Sequence, residues 1–188
     1  VFRKSLVPWN APTHIFLEIT SRCNLSCVMC GRTHDRRYKD PSFSGDMSLD
    51  TVKKAARFFR PSSFVTTTGL GEPLCNPELL PILSDLKSRQ AVISMTTNGT
   101  LLSEKLAGAL VDLQVDRVVV SIDSADPKTF GKIRVGARLD EVLANLERLV
   151  KLRSASNVRK PYLILEYVAL AQTFQELPTI ADLAHKLD

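Results

Sequence analysis

The chain has 188 residues, 44% of them apolar and 24% charged, a balance that supports one domain with a sizeable buried core. The net charge of +5 is compatible with anionic ligands. The basic residues are nevertheless dispersed over helix-like faces (Lys53, Lys54, Arg57, Arg60; Arg148, Lys151, Arg153), and no basic stripe is interleaved with aromatics, which argues against nucleic acid as a partner. No apolar run approaches transmembrane length, and residues 1–10 lack the apolar core of an export signal, so no membrane partner is expected and a reducing cytoplasm is the default location.

Residues 1–12, with Pro8, Trp9 and Pro12, have no period and read as an irregular lead-in. Residues 13–20 (THIFLEIT) are β-branched and apolar and predict a buried strand. The cysteine-rich stretch 23–30 follows, and then a polar surface loop over 32–46. Ser48 is positioned to cap a helix with Leu49, Val52, Ala56 and Phe59 on one face, ended by Pro61. A strand at 64–68 leads into Gly69-Leu70-Gly71-Glu72-Pro73, then a helix at 77–89, a strand at 91–96 and the turn Thr97-Asn98-Gly99. Leu102, Leu106, Leu110 and Leu113 mark a helix, 117–123 (RVVVSID) a strand, and 127–133 a short helical piece. A longer helix at 139–152, a fifth strand at 162–170 and a helix at 176–187, with Leu177, Ile180, Ala184 and Leu187 on one side, complete the chain.

Strands that are apolar rather than alternating, each followed by a helix, imply an α/β fold: a parallel sheet of five to six strands wrapped by helices as a partial (β/α) barrel. Functional groups of such folds gather at the carboxyl ends of strands. The unusual residues here respect that rule: cysteines after the first strand, Gly71-Glu72-Pro73 after the second, Asn98-Gly99 after the third, Ser121 and Asp123 closing the fourth.

Three of the four cysteines lie in Cys23-Asn24-Leu25-Ser26-Cys27-Val28-Met29-Cys30, with gaps of three and then two residues. A loop of that length wraps once around a small inorganic object. The tightest reading is a cubane 4Fe-4S cluster with three irons held by Cys23, Cys27 and Cys30 and the fourth open for chemistry. A structural zinc site would need a fourth ligand, for which His34 is placed. A disulfide would leave one thiol of the three unpaired.

The cysteine spacing resembles that of the radical S-adenosylmethionine (radical SAM) superfamily, whose open iron chelates the amino and carboxylate groups of SAM. Met29 stands where that family usually has an aromatic residue. Gly71-Glu72-Pro73 resembles the family's Gly-Gly-Glu-Pro turn, which meets the SAM ammonium, with Leu70 in place of one glycine; a plain strand-to-helix turn would explain the glycines and Pro73 but not Glu72. By the same resemblance Asn98 faces the SAM ribose, Ser121 and Asp123 contact ribose or substrate, and Arg134 pairs with the SAM carboxylate. The bland alternatives are a turn for Asn98, a helix cap for Asp123 or Ser124, and a surface salt bridge for Arg134. Cys75 is either an auxiliary thiol or a small buried hydrophobe, and His14 and His185 have no evident partner.

The resemblance spans residues 13–187 and is nearest in character to the SPASM and twitch group, without that group's cysteine-rich extension. Five strand-helix units where the family core has six imply a truncated chain, a fragment, or a short member that borrows the missing wall. It further implies that an external one-electron reductant of the flavodoxin or ferredoxin type drives reductive cleavage of SAM to methionine and a 5′-deoxyadenosyl radical, which abstracts hydrogen from a small-molecule or peptide substrate. The rivals are a non-catalytic iron-sulfur or zinc module and an inactive scaffold of the same family.

Overall fold

A computed structural model describes residues 12–187. The lead-in expected over 1–12 lies outside the described residues except for Pro12. Five strands, β1 (His14–Leu17), β2 (Phe64–Thr67), β3 (Val92–Thr97), β4 (Arg117–Ser121) and β5 (Tyr162–Glu166), form one parallel sheet in the order β1-β2-β3-β4-β5. The helices are α1 (Gly31–His34), α2 (Leu49–Ala56), α3 (Leu79–Ser88), α4 (Glu104–Asp112), α5 (Pro127–Ile133), α6 (Leu139–Ala155) and α7 (Leu177–Leu187). An all-parallel open sheet wrapped by helices is the expected partial barrel. No helix among the described residues is long and apolar enough to cross a membrane.

The two faces of the sheet differ. Val65, Ile93, Met95, Val118 and Val120 are fully buried beneath the helices, whereas Phe16, Tyr162 and Ile164 on the alternate positions are 66%, 49% and 39% exposed. The register aligns Phe16, Thr66, Ser94, Arg117 and Tyr162 in a single layer across that open face.

Helix faces follow from residue spacing. In α3, Leu79, Ile82, Leu83 and Leu86 are buried together, and each such side chain contributes about 1.5–3 kcal/mol relative to exposure. The Ser48 hydroxyl accepts from the Thr51 amide at the start of α2, and Ser103 caps α4 in the same way through Leu106. Buried residues at 142, 146 and 149 lie on the face of α6, which packs against α4.

Several sequence expectations need correction. Residues 32–46 are not a plain loop: α1 is followed by two 3-10 turns, Arg36–Lys39 and Pro41–Phe43, because Asp35 and Asp40 accept from the amides of Arg37 and Ser42 and so start each turn. The cap of α5 is Asp126, whose carboxylate accepts from the Thr129 amide, and neither Asp123 nor Ser124 serves. The Asp-Pro dipeptide at 126–127 carried that signal. Leu177 is 55% exposed rather than inward, since it sits at the first position of α7, ahead of the turns that touch the core.

Candidate functional site

The cysteine loop leaves β1 and is tied down on three sides. The Arg22 carbonyl accepts from the Glu72 amide at 2.7 Å, linking it to the turn after β2. On another side the Asn98 side-chain amide donates to Asn24 Oδ1 at 3.0 Å and lies 4.0 Å from Cys23 Sγ, linking it to the turn after β3. Finally, the amides of Ser26 and Val28 donate to the carbonyls of Val135 and Ile133, at 3.0 and 2.9 Å, which sets the α5–α6 connection against the loop. Leu25, 4% exposed, plugs the loop into the core.

These ties create a cavity of ≈ 200 Å³ at the carboxyl ends of the strands. Its walls bring together Cys23, Cys27, Cys30 and Met29 from the loop, Gly71 and Glu72 from the β2 turn, Asn98 from the β3 turn, Ser121 from β4 and Arg134 from the end of α5. Thr68, Thr96 and Val168 also line it, none of which stood out in the sequence because each belongs to an ordinary strand or strand-end composition. Two predicted residues do not line the cavity. Pro73 is buried as the first residue of the 3-10 turn Pro73–Cys75, and Asp123 is fully buried behind Arg134.

The side chains around the cavity are already engaged with one another. The Glu72 carboxylate is folded inward at 3% exposure, because three donors converge on it: the Thr97 hydroxyl at 2.6 Å and the amides of Asn98 and Leu74 at 2.7 and 3.1 Å. Burial pushes its carboxyl up, and the three hydrogen bonds act against that rise. Arg134 donates through Nε to Asp123 Oδ2 at 2.7 Å, and Asp123 Oδ1 accepts from the Val168 amide at 3.0 Å. Among the described residues the two terminal nitrogens of Arg134 have no partner, so its fork remains available toward the cavity. Gly99, with φ +76°, closes the β3 turn in the left-handed region.

All four cysteines are free, half-buried thiols. Burial pushes the thiols of Cys23 and Cys27 up, opposed at Cys23 by the Leu25 amide and at Cys27 by the Arg134 charge. Among the described residues no three Cys, His, Asp or Glu side chains crowd closely enough to share one metal ion. His34 is drawn elsewhere, its Nε2 donating to the Val28 carbonyl at 2.6 Å.

The family model described as the radical SAM superfamily matches residues 17–184. The chain belongs to the radical SAM superfamily. It is similar to a tungsten-containing aldehyde ferredoxin oxidoreductase cofactor-modifying protein of Pyrococcus furiosus, 32% identical over 175 residues covering 89% of this chain and 47% of that one. It is also similar to a probable GTP 3′,8-cyclase of Methanococcus maripaludis, 33% identical over 172 residues covering 91% and 54%. The chain thus spans about half the length of the curated relatives it matches. Among solved structures, Streptococcus suis SuiB bound to its precursor peptide SuiA superposes with a TM-score of 0.73 at 15% identity, over 94% of this chain and 37% of that one. The structure of anSMEcpe with bound AdoMet superposes with 0.64 at 18% identity, over 92% and 46%. The likeness to these structures concerns the fold. Radical SAM proteins are enzymes whose cofactors are a 4Fe-4S cluster and SAM, and three free thiols on one cavity with an unoccupied arginine fork fit that pair.

Proposed function

We propose that residues 13–188 are the core of an enzyme that cleaves SAM reductively and abstracts a hydrogen atom from a small-molecule substrate. A 4Fe-4S cluster held at the three cysteines would supply one electron for the reductive cleavage of SAM bound beside it. The chain's own residues bind, orient and exclude water. Cys23, Cys27 and Cys30 would hold the cluster, and Met29, on the same cavity, would lie beside it. The turn at Gly71 meets the amino end of SAM, and the free nitrogens of Arg134 meet its carboxylate. Ser121 and Asn98 face the ribose. Three further residues act by position: Asp123 aims Arg134, Glu72 holds the β2 and β3 turns in register, and Pro73 stiffens the turn behind it. Leu25 and Val168 wall off water.

The observation that carries this reading is that residues from five separate segments, four chosen in the sequence by cysteine spacing and strand ends and the fifth, Arg134, by the family resemblance, line a single cavity. A small molecule is favoured over a peptide because the relatives at 32% and 33% identity are named for a cofactor and a nucleotide, while the peptide-bound neighbour shares 15%. An external flavodoxin- or ferredoxin-type reductant supplies the electron, and four free thiols suit a reducing, cytoplasmic setting. The test is anaerobic reconstitution: about four irons per chain, a cluster spectrum altered by SAM, and 5′-deoxyadenosine formed under reductant support the reading. A colourless zinc protein, or a cluster indifferent to SAM, overturns it.

A further inference from the structure

We propose that Glu18 is a positioning residue for the turn at 70–72, holding the Leu70 and Gly71 amides so that this part of the turn meets a ligand with carbonyl oxygens rather than amide donors. The proposal rests on the SAM-binding reading above and deepens it at the amino end of the ligand.

Glu18 lies one residue beyond β1 and is exposed. Its Oε1 accepts from the Leu70 amide at 2.6 Å and from the Gly71 amide at 3.3 Å. The next amide, that of Glu72, donates to the Arg22 carbonyl at 2.7 Å. Three consecutive amides are therefore closed off. A turn with free successive amides forms a concavity for anions. With those donors occupied, the turn retains acceptors, and a carboxylate stands against it. Such a surface selects a cationic group such as an ammonium and rejects a carboxylate, which is left to the Arg134 fork on the same cavity.

The glycine at 69 fits this account. A Cβ there would lie 2.5 Å from Glu18 Cδ, while its φ is in the ordinary range, so space for the carboxylate rather than backbone conformation explains the residue. Gly71 answers to a different constraint, since its Cβ would lie 1.9 Å from the Thr20 carbonyl oxygen. Glu18→Gln keeps a carbonyl oxygen able to accept both amides. Glu18→Ala removes the acceptor, and Gly69→Ala expels it.

The experiment measures Glu18→Ala, Glu18→Gln, Gly69→Ala and the double variant E18A/G69A beside the unaltered chain. One readout is hydrogen exchange at the Leu70 and Gly71 amides without SAM. The other is the SAM dissociation constant from the cluster spectrum, at matched iron content. Glu18→Ala and Gly69→Ala are each expected to speed exchange and weaken SAM binding by about tenfold, and Glu18→Gln by less than about threefold. The double variant should be no worse than either single one, because both act on one contact. Unchanged exchange in Glu18→Ala, a Glu18→Gln as impaired as Glu18→Ala, or additive losses in the double variant each overturn the proposal. If Glu18→Ala does not fold, Gly69→Ala and Glu18→Gln decide. An unaltered chain whose cluster ignores SAM defeats the proposed function, and amide exchange still judges the role of Glu18.

Discussion

Arg134 Nε donates to Asp123 Oδ2 at 2.7 Å, and the pair is nearly sealed from solvent, with side chains 10% and 0% exposed. Desolvation of two charges is recovered only because each meets the other, and Asp123 gains the Val168 amide as well. Asp123→Ala should therefore cost about 3–5 kcal/mol by leaving a buried guanidinium uncompensated. Urea unfolding at neutral pH measures this, and a loss below about 1 kcal/mol would mean that Arg134 turns freely to solvent.

Glu72 joins the turns after β2 and β3 through the Thr97 hydroxyl and the Asn98 amide. Thr97→Val preserves the shape of the side chain and removes one of three donors from a buried carboxylate. The expected loss is about 1–3 kcal/mol. Thr97→Ser, which restores the hydroxyl, should recover most of it, as read from denaturation midpoints.

The cysteines separate by role. Cys23→Ser, Cys27→Ser and Cys30→Ser should each reduce bound iron to a small fraction, while the apo chains unfold within about 1 kcal/mol of the original, since each thiol is half-buried. Cys75→Ser should retain full iron. Iron and sulfide analysis after reconstitution checks both statements, and loss of iron in Cys75→Ser would make that thiol a ligand.

Acid should loosen the amino-terminal end of the sheet. Burial raises the Asp116 carboxyl, but Lys160, the Ile93 amide and Lys87 bind it and together hold it below the usual aspartate range. A depressed carboxyl contributes stability that is complete above its unfolded value, about 3.9, and is lost as pH falls through the lower folded value. Unfolding free energy should thus decline on acidification below about pH 4, and Asp116→Asn should be less stable at pH 7 with a shallower acid decline. Parallel denaturation series at pH 3 to 7 test the difference.

Gly71→Ala should disrupt the turn after β2, because a Cβ would lie 1.9 Å from the Thr20 carbonyl oxygen, which belongs to the backbone and cannot swing aside. Overpacking of this kind costs about 3 kcal/mol. Gly108→Ala, whose Cβ meets nothing within 4 Å, is the control and should be neutral or stabilising in thermal melts.

Much of this protein was legible from local pattern. Apolar runs of strand length, helical spacing and a capping residue such as Ser48 act over a few positions, and the observed elements follow them within a few residues. The cysteine spacing and the placing of Gly71, Asn98 and Ser121 at strand ends were equally readable, because parallel topology gathers those ends without any knowledge of side-chain contacts. Partners distant in the chain were not. Only the fold decided that Glu72 turns inward to Thr97, that Asp123 holds Arg134, and that Glu18 reaches the amides of Leu70 and Gly71 some 52 residues away. Buried polar groups take whichever donors packing brings within reach, and that choice is made by the register of the whole sheet rather than by any stretch of sequence.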